Sequence, residues 1–205
     1  RSSKDILADK PSEPKNIWPI LQKHGVWIAL TAIFSLFALL KAYSLNFVKG
    51  DEHMYFYMSL LVSKGEWPYR DFFFSHPPLQ LYLMASVYKI FGYSLALSKA
   101  VPTVAAMVSG LFIFLIGKRC IGRLEGVLAA ALFLLTYDVL RGSSHFTGAN
   151  CALAFGLAAA YLGMSGRSVA SGVLFAIGTF IGVYILPLAL MLGVLLVFRS
   201  WKESL

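Results

Sequence analysis

Long apolar stretches constrain this chain more than any other feature of its sequence. A helix that crosses a lipid bilayer needs about 20 mainly apolar residues, because its backbone must form all of its hydrogen bonds internally. Residues 26–45 meet this length and are followed by the charged residues Lys49, Asp51 and Glu52. The stretch is therefore predicted to span a membrane.

The composition points to the same class of protein. Hydrophobic residues make up 58% of the 205 residues and charged residues 14%, whereas soluble domains have roughly 45–50% and about 25%. A water-soluble domain of this size cannot bury so much apolar surface. The chain is predicted to be an integral membrane protein.

Five further apolar runs follow the first one. The last run is longer than one span, and Pro187 is predicted to kink it or to divide it. Gly178 and Gly182 in that run have a spacing that lets helices approach closely. The pattern predicts an all-α, polytopic transmembrane helix bundle over residues 26–205, after a cytoplasmic segment 1–25. Its later spans are predicted near 78–93, 96–117, 124–139, 149–162 and 169–198.

The distribution of basic residues leaves the topology open. A Lys-rich N-terminal segment favours a cytoplasmic start, which places residues 47–77 on the outer side. If every run crosses the membrane, Lys118, Arg119 and Arg123 also lie outside, against the positive-inside tendency. Either one short run is not a full span, or the tendency is broken there.

The net charge and the cysteines exclude other classes of protein. The formal charge is +8, but the basic residues stand singly between apolar runs rather than on one face, so no nucleic-acid partner is predicted. Cys120 and Cys151 show neither a disulfide framework nor a metal-ligand spacing.

The long polar loop is predicted to lie on the membrane surface. Met54, Tyr57, Met58 and Leu61 follow the spacing of one helical face, which predicts an amphipathic helix in the interface. Residues 65–78 are rich in aromatic side chains of the kind found at headgroup level.

Candidate chemistry lies at the two ends of this loop. Asp51 and Glu52 follow the first span and His76 precedes the second, so both ends are expected to meet in one pocket. Sugar transfer from a lipid phosphate needs a carboxylate to accept the proton of the acceptor. It also needs positive charge or a metal to stabilise the leaving phosphate. Asp51 suits the first role, and Arg70, His76 or a cation held by Glu52 suits the second.

Purely structural interpretations of these polar residues also stay open. Asp51 and Glu52 also suit a helix N-terminus, where acids are favoured, and His76 also suits a chain turn before two prolines. Arg141, His145 and Asn150, between the fourth and fifth runs, are candidates to line a cavity, and an ordinary solvated turn is their plainer interpretation. Asp138 is expected near the interface or paired with Arg141.

Four short motifs occur in a characteristic order: GDEHMYFY at 50–57, GEWPYRDF at 65–72, HPPL at 76–79 and IFG at 90–92. Together they resemble GT-C fold glycosyltransferases, in particular the protein mannosyltransferase and aminoarabinose transferase group of glycosyltransferase family 39 type. The similarity extends over about residues 26–123. The resemblance implies a GT-C-like bundle with an interfacial helix in its first extracytoplasmic loop.

The resemblance also implies roles for individual residues. It makes Asp51 the catalytic carboxylate, with Glu52 beside it in the pocket, and it places His76 near the carrier phosphate. The two acids are also candidate ligands of a divalent cation (Mg or Mn), and no tightly bound cofactor is expected. The candidate substrate-binding residues are His53, Tyr55, Arg70 and His76.

Two positions depart from the family pattern. Relatives often have an Asp where this chain has Asn150, and a Lys in the sixth run where Tyr184 lies nearby. Such enzymes are usually longer, so the 205 residues are expected to be part of a longer protein.

The implied function is sugar transfer from a polyprenyl-phosphate donor to a hydroxyl acceptor at the extracytoplasmic face. The expected location is a multi-pass protein of the plasma membrane, or of the endoplasmic reticulum if the source is eukaryotic. Membrane lipids are the other expected partners. A transporter or flippase-like module is one rival, although Lys89, Lys99 and Asp138 near the ends of runs are its only support. A noncatalytic scaffold subunit is another.

Overall fold

The computed structural model describes residues 18–42, 50–188, 190–191 and 193–194. The regular secondary structure of these residues is entirely helical, so the predicted all-α fold is confirmed. A 3-10 turn at Val183–Ile185 follows the last helix. The α-helices of the described residues are α1 (Trp18–Ala42), α2 (Glu52–Ser63), α3 (Leu79–Phe91), α4 (Leu95–Cys120), α5 (Arg123–Leu135), α6 (Tyr137–Gly142), α7 (Ala149–Met164) and α8 (Ser168–Ile181).

Most predicted runs coincide with helices. Helix α1 begins at Trp18, well before residue 26, and Pro19 lies in its first turn, where a missing N–H is tolerated. Positions 43–45 of the first predicted run lie outside the described residues. Helices α3, α4 and α7 match their runs to within three residues at each end.

The fourth and sixth runs are each broken by a residue in an extended conformation. Thr136 (ψ 140°) separates α5 from α6, and its hydroxyl donates a hydrogen bond to the carbonyl of Leu132. Gly182 (φ −164°, ψ 125°) ends α8. The division predicted at Pro187 was therefore misplaced, because Pro187 lies in the helical turn that follows the 3-10 turn, where proline is tolerated.

The long helices alternate in direction. Leu30 of α1 shares an apolar cluster with Phe114 of α4, and Phe37 shares another with Ala106. Later residues of α1 therefore contact earlier residues of α4, so the two helices are antiparallel.

Helices α4 and α5 are also antiparallel, and two glycines bring them together. A Cβ atom on Gly117 would lie 2.8 Å from the Cα atom of Gly126, and one on Gly126 would lie 2.7 Å from the carbonyl oxygen of Phe114. Any larger residue at either position would push the backbones apart.

Helices α7 and α8 form a second antiparallel pair. The Ser171 hydroxyl donates to the Ala159 carbonyl over 2.8 Å, and a Cβ atom on Gly178 would lie 3.3 Å from the Ala152 carbonyl. Gly178 therefore permits the close helix approach that its spacing predicted. Arg119 joins the two pairs, because its guanidinium donates to Ser165 Oγ (3.0 Å) and to the Met164 carbonyl (2.8 Å).

The alternation gives the bundle two ends. The basic end holds the α4–α5 turn and the α7–α8 turn, with Lys118, Arg119, Arg123 and Arg167. The opposite end, called here the site end, holds the last turn of α1, the first turn of α4, the loop 143–148 and Gly182.

Helix α3 begins and finishes at the site end. Near its start, Gln80 Nε2 donates to the Phe146 carbonyl (3.2 Å), and near its finish the Tyr88 and Ser98 hydroxyls are 2.6 Å apart. Helix α2 packs on α3 through a buried face that includes Phe56 and Val62, and Met54 and Tyr57 remain exposed. Both short helices therefore cover the site end.

Two helices of the described residues are long and apolar enough to cross a membrane. They are His24–Ala42 within α1 and Leu95–Cys120, which is α4. Three shorter apolar helices accompany them: α3, α7 and α8.

Candidate active site

The site is organised around the start of α2. Gly50 has a φ of +61°, a conformation that favours glycine, and it turns the chain into the helix. Asp51 occupies the N-cap position, but its side chain makes no capping hydrogen bond. Its carboxylate is exposed rather than used to close the helix end.

Asp51 and His76 line the same cavity. Its volume is about 220 Å³, and its other lining residues are Met54, Tyr55, Met58, Phe73, Phe74 and Ser75. The structure thus brings together the two ends of the loop, as the sequence indicated. A carboxylate and an imidazole face one small space whose walls are otherwise mostly aromatic or thioether side chains.

Aromatic contacts hold the imidazole in place. The His76 ring lies 5.7 Å from the Phe74 ring and 6.2 Å from the Tyr55 ring, centroid to centroid. The Tyr69 hydroxyl donates a hydrogen bond to the His76 carbonyl. Burial raises the pKa of Tyr55 above its ordinary value of 10.0, and the nearby Tyr184 and Asp51 raise it further.

Two predicted substrate-binding residues lie away from the cavity lining. Arg70 pairs with Asp71 (2.9 Å), and its guanidinium lies 5.7 Å from the Trp67 ring centroid. The hydrogen bond from Arg70 holds the pKa of Asp71 below its ordinary value. His53 is exposed, and its Nδ1 atom lies 3.0 Å from the Gly50 carbonyl.

Glu52 is buried, whereas its neighbour Asp51 is exposed. The Glu52 side chain is fully buried, and Lys99 Nζ lies 3.3 Å from Oε2 and 3.5 Å from Oε1. Lys99 comes from the first turns of α4 and is itself only 2% exposed. The carboxylate at the start of α2 is therefore tied to a distant helix.

The loop 143–148 contributes a third group. His145 Nδ1 lies 3.4 Å from Glu52 Oε1. The loop is supported by Asn150, whose amide donates to the Gly142 carbonyl (2.9 Å) and the His145 carbonyl (3.4 Å). Asp138 and Arg141, in contrast, are both exposed, and the ion pairs of the described residues do not join them.

A second buried lysine holds the same loop from the other side. Lys41 of α1 donates to the Leu140 carbonyl (2.7 Å) and to Ser144 Oγ (3.0 Å). Together with the Glu52–Lys99 pair, it connects α1, α2 and α4 to one loop.

Sequence reasoning missed these two lysines. Lys99 was placed near the end of an apolar run, and Lys41 lies within the first run without an evident partner. The sequence did contain a signal, because a charged residue is costly in an apolar segment and is therefore a candidate functional residue. The partner itself is visible only in three dimensions.

The arrangement does not fit a cation shared by the two acids. Asp51 lines the cavity, whereas Glu52 is engaged by Lys99. Within the described ranges, no group of three or more His, Cys, Asp or Glu side chains is arranged to hold a metal ion. Divalent cation binding by this protein remains a prediction.

The all-helical fold and its two long apolar helices are compatible with a helical membrane protein. A family model described as dolichyl-phosphate-mannose-protein mannosyltransferase matches residues 75–205. The chain belongs to this family, which confirms the resemblance seen in its motifs, and it is a membrane glycosyltransferase of the mannosyltransferase type. The matched region includes His76, Lys99 and His145. Comparison with curated proteins and with solved structures found no match.

Proposed function

We propose that the protein transfers a sugar from a polyprenyl-phosphate carrier to a hydroxyl acceptor, with Asp51 as the general base. The observation that carries this proposal is the cavity lined by both Asp51 and His76. Carboxylate and imidazole are suited to opposite needs of the reaction. The first accepts a proton, and the second, when protonated, stabilises a developing negative charge.

The transfer is a single displacement with inversion at the sugar. The acceptor oxygen attacks the anomeric carbon while Asp51 takes the hydroxyl proton. The bond between the anomeric carbon and the carrier phosphate oxygen breaks, and its electron pair leaves with the phosphate. In this proposal His76 donates a hydrogen bond to that phosphate, and Tyr55 lines the cavity together with Asp51 and His76.

The membrane arrangement follows from the two ends of the bundle. We assign the basic end to the cytoplasmic side, since Lys and Arg are enriched there in membrane proteins. Helices α1 and α4, which are long enough to do so, then cross the membrane, with the shorter helices α5, α7 and α8 packed alongside them, and α2 and α3 lie at the outer surface. This arrangement treats run 78–93 as a surface helix and places Lys118, Arg119 and Arg123 on the favoured side.

The outer surface helices suit a lipid-linked donor. Exposed aromatic side chains within residues 50–78, among them Phe73, Tyr57 and Trp67, are of the type that sits at headgroup level. A polyprenyl chain in the bilayer would present its phosphate at this depth. The plasma membrane, or the endoplasmic reticulum of a eukaryote, is the expected location.

The buried charges do not favour a transporter. Lys41, Glu52 and Lys99 lie at the site end of the bundle, where Lys41 contacts Ser144 and Glu52 contacts both Lys99 and His145. A transport path requires polar groups along the depth of the bundle, and these groups hold a loop in place instead.

The test measures transfer of labelled sugar from polyprenyl-phosphate donors by membranes that contain the native full-length protein. Asp51→Asn is compared with Asp71→Asn, which makes the same chemical change at an exposed acid outside the cavity. We expect Asp51→Asn to lower turnover about 10²-fold or more and Asp71→Asn to leave it nearly unchanged. Equal turnover in both variants would remove Asp51 from the mechanism, and no transfer by the native protein with any donor would favour the scaffold function.

A further inference from the structure

Glu52, which forms a buried ion pair with Lys99, directly follows the proposed base Asp51 in the chain. We infer that Lys99, with His145, is a positioning residue that holds Asp51 at the cavity by fixing the Glu52 side chain. The inference rests on the proposed function of Asp51. It assigns a role in the reaction to a helix that contributes no residue to the cavity lining.

The geometry at the start of α2 separates the directions of Asp51 and Glu52. Successive residues of an α-helix are rotated by about 100°, because one turn takes 3.6 residues. A Glu52 side chain held in the interior therefore directs its neighbour to a different side. The observed placements agree, since Glu52 is 1% exposed and Asp51 is exposed and lines the cavity.

Asp51 is not held in place by its own side chain. Its carboxylate makes no capping hydrogen bond, and the ion pairs of the described residues do not include it. Its position therefore depends on the backbone at the start of α2. That backbone is set by Gly50 before it and by the anchored Glu52 after it.

Lys99 is itself supported by neighbouring residues. The Thr103 hydroxyl bonds to the Lys99 carbonyl (2.8 Å) and approaches the Ser143 carbonyl (3.4 Å). Ser143 precedes the loop residue His145, which faces Glu52 from the other element. The anchor thus connects the start of α2 to α4 and to the loop 143–148.

A positioning role also explains why charged groups are used here. Burying an ion pair gives little or no net stability compared with apolar side chains of similar size, although breaking the pair is costly. A misplacement of about 1 Å at a reacting group can lower a rate about 10²-fold. The anchored Glu52 carboxylate therefore contributes more to the orientation of Asp51 than to the stability of the protein.

The first test is a cycle of variants in the full-length protein, with kcat and KM measured separately. Lys99→Met is expected to lower kcat about tenfold or more with little change in KM, and Lys99→Arg to retain most of the activity. In a Glu52→Gln background, Lys99→Met should cause no further loss, because the group through which Lys99 acts is already altered. Lys89→Met, at an exposed position of α3, is the matched control.

Two results would overturn the inference. One is an equal loss from Lys99→Met in the native and the Glu52→Gln backgrounds, which makes Lys99 independent of Glu52. The other is a loss confined to KM, which makes Lys99 a carrier-binding group. If Lys99→Met alone fails to accumulate, Lys99→Arg and the Glu52→Gln/Lys99→Met double variant, which leaves no unpaired charge between these two positions, still decide the question.

A second measurement does not require activity. Asp51→Cys is labelled with a membrane-impermeant maleimide after the exposed Cys120 is replaced by Ser. Adding Lys99→Met or Glu52→Gln/Lys99→Met should change the labelling rate severalfold, whereas Lys89→Met should not. An unchanged rate overturns the positioning role. Native protein without transfer activity, but with a changed rate, would instead contradict only the proposed function.

Discussion

The carboxylate of Glu52 and the ammonium group of Lys99 lie 3.3 Å apart in the interior, although 47 positions separate them in the chain. Glu52 begins a short surface helix and Lys99 lies in a long apolar one. The pair therefore ties the helix that carries the candidate base to the bundle itself. Its removal has consequences for stability as well as for orientation.

We expect Lys99→Met to destabilise the protein by about 3–5 kcal/mol, because it removes the cation that lies 3.3 Å from a buried carboxylate. The Glu52→Gln/Lys99→Met double variant should recover a large part of this loss, since both charges are then absent. Thermal unfolding in detergent measures both effects. A double variant less stable than Lys99→Met alone would contradict this account of the pair.

The contact between α4 and α5 predicts a contrast between two glycines. Gly126→Ala should destabilise the protein by about 1–3 kcal/mol, because the new Cβ atom meets the Phe114 carbonyl at 2.7 Å. Gly172→Ala is the control, since it has open space in α8 and should raise stability by about 0.5–1 kcal/mol. Unfolding in detergent measures both. Similar effects of the two variants would argue against the close crossing.

The geometry also separates two residues that the sequence grouped together. His76→Gln should lower turnover about tenfold or more, because the imidazole lines the cavity. Arg70→Gln should change turnover by less than about threefold, since an exposed pair contributes little. Sugar transfer by full-length protein measures this. A larger loss from Arg70→Gln than from His76→Gln would place the phosphate nearer to Arg70.

The pKa of Tyr55 depends in part on the nearby charge of Asp51. Burial raises this pKa above 10.0, and the negative charge of Asp51 adds to the effect. Asp51→Asn should therefore lower the pKa of Tyr55 while leaving it above the ordinary value. Ultraviolet absorbance of tyrosinate, taken as the difference between the parent and Tyr55→Phe, measures the titration.

The raised pKa of Tyr55 also makes the stability of the protein depend on pH. A raised pKa in the folded state means that the folded protein holds the phenol proton longer than the unfolded chain. The contribution is fully present below pH 10.0 and declines as the pH rises through the higher folded value. Tyr55→Phe should weaken this decline, and an unchanged profile would show that Tyr55 is not shielded.

Local patterns anticipated much of the fold. The apolar runs predicted most helices, because a helix satisfies its own backbone hydrogen bonds and its apolar length depends only on consecutive residues. Breaks were harder to predict. Gly182 rather than Pro187 ends α8, since the extended conformation of Gly182 is compatible with its packing beside Ala152, and proline is tolerated early in the following turn.

By itself, the sequence determined the class of protein, the helical content and the two ends of the loop that meet at the cavity. These follow from composition, from short motifs and from chain proximity to the first and second apolar runs. Only the tertiary structure decided that Asp51 and Glu52 face different surroundings, that Arg70 lies away from the cavity lining, and that Lys41, Lys99 and His145 support the site. The physical reason is that burial and ion pairing depend on which distant helices pack together, and adjacent residues in the chain carry no record of that choice.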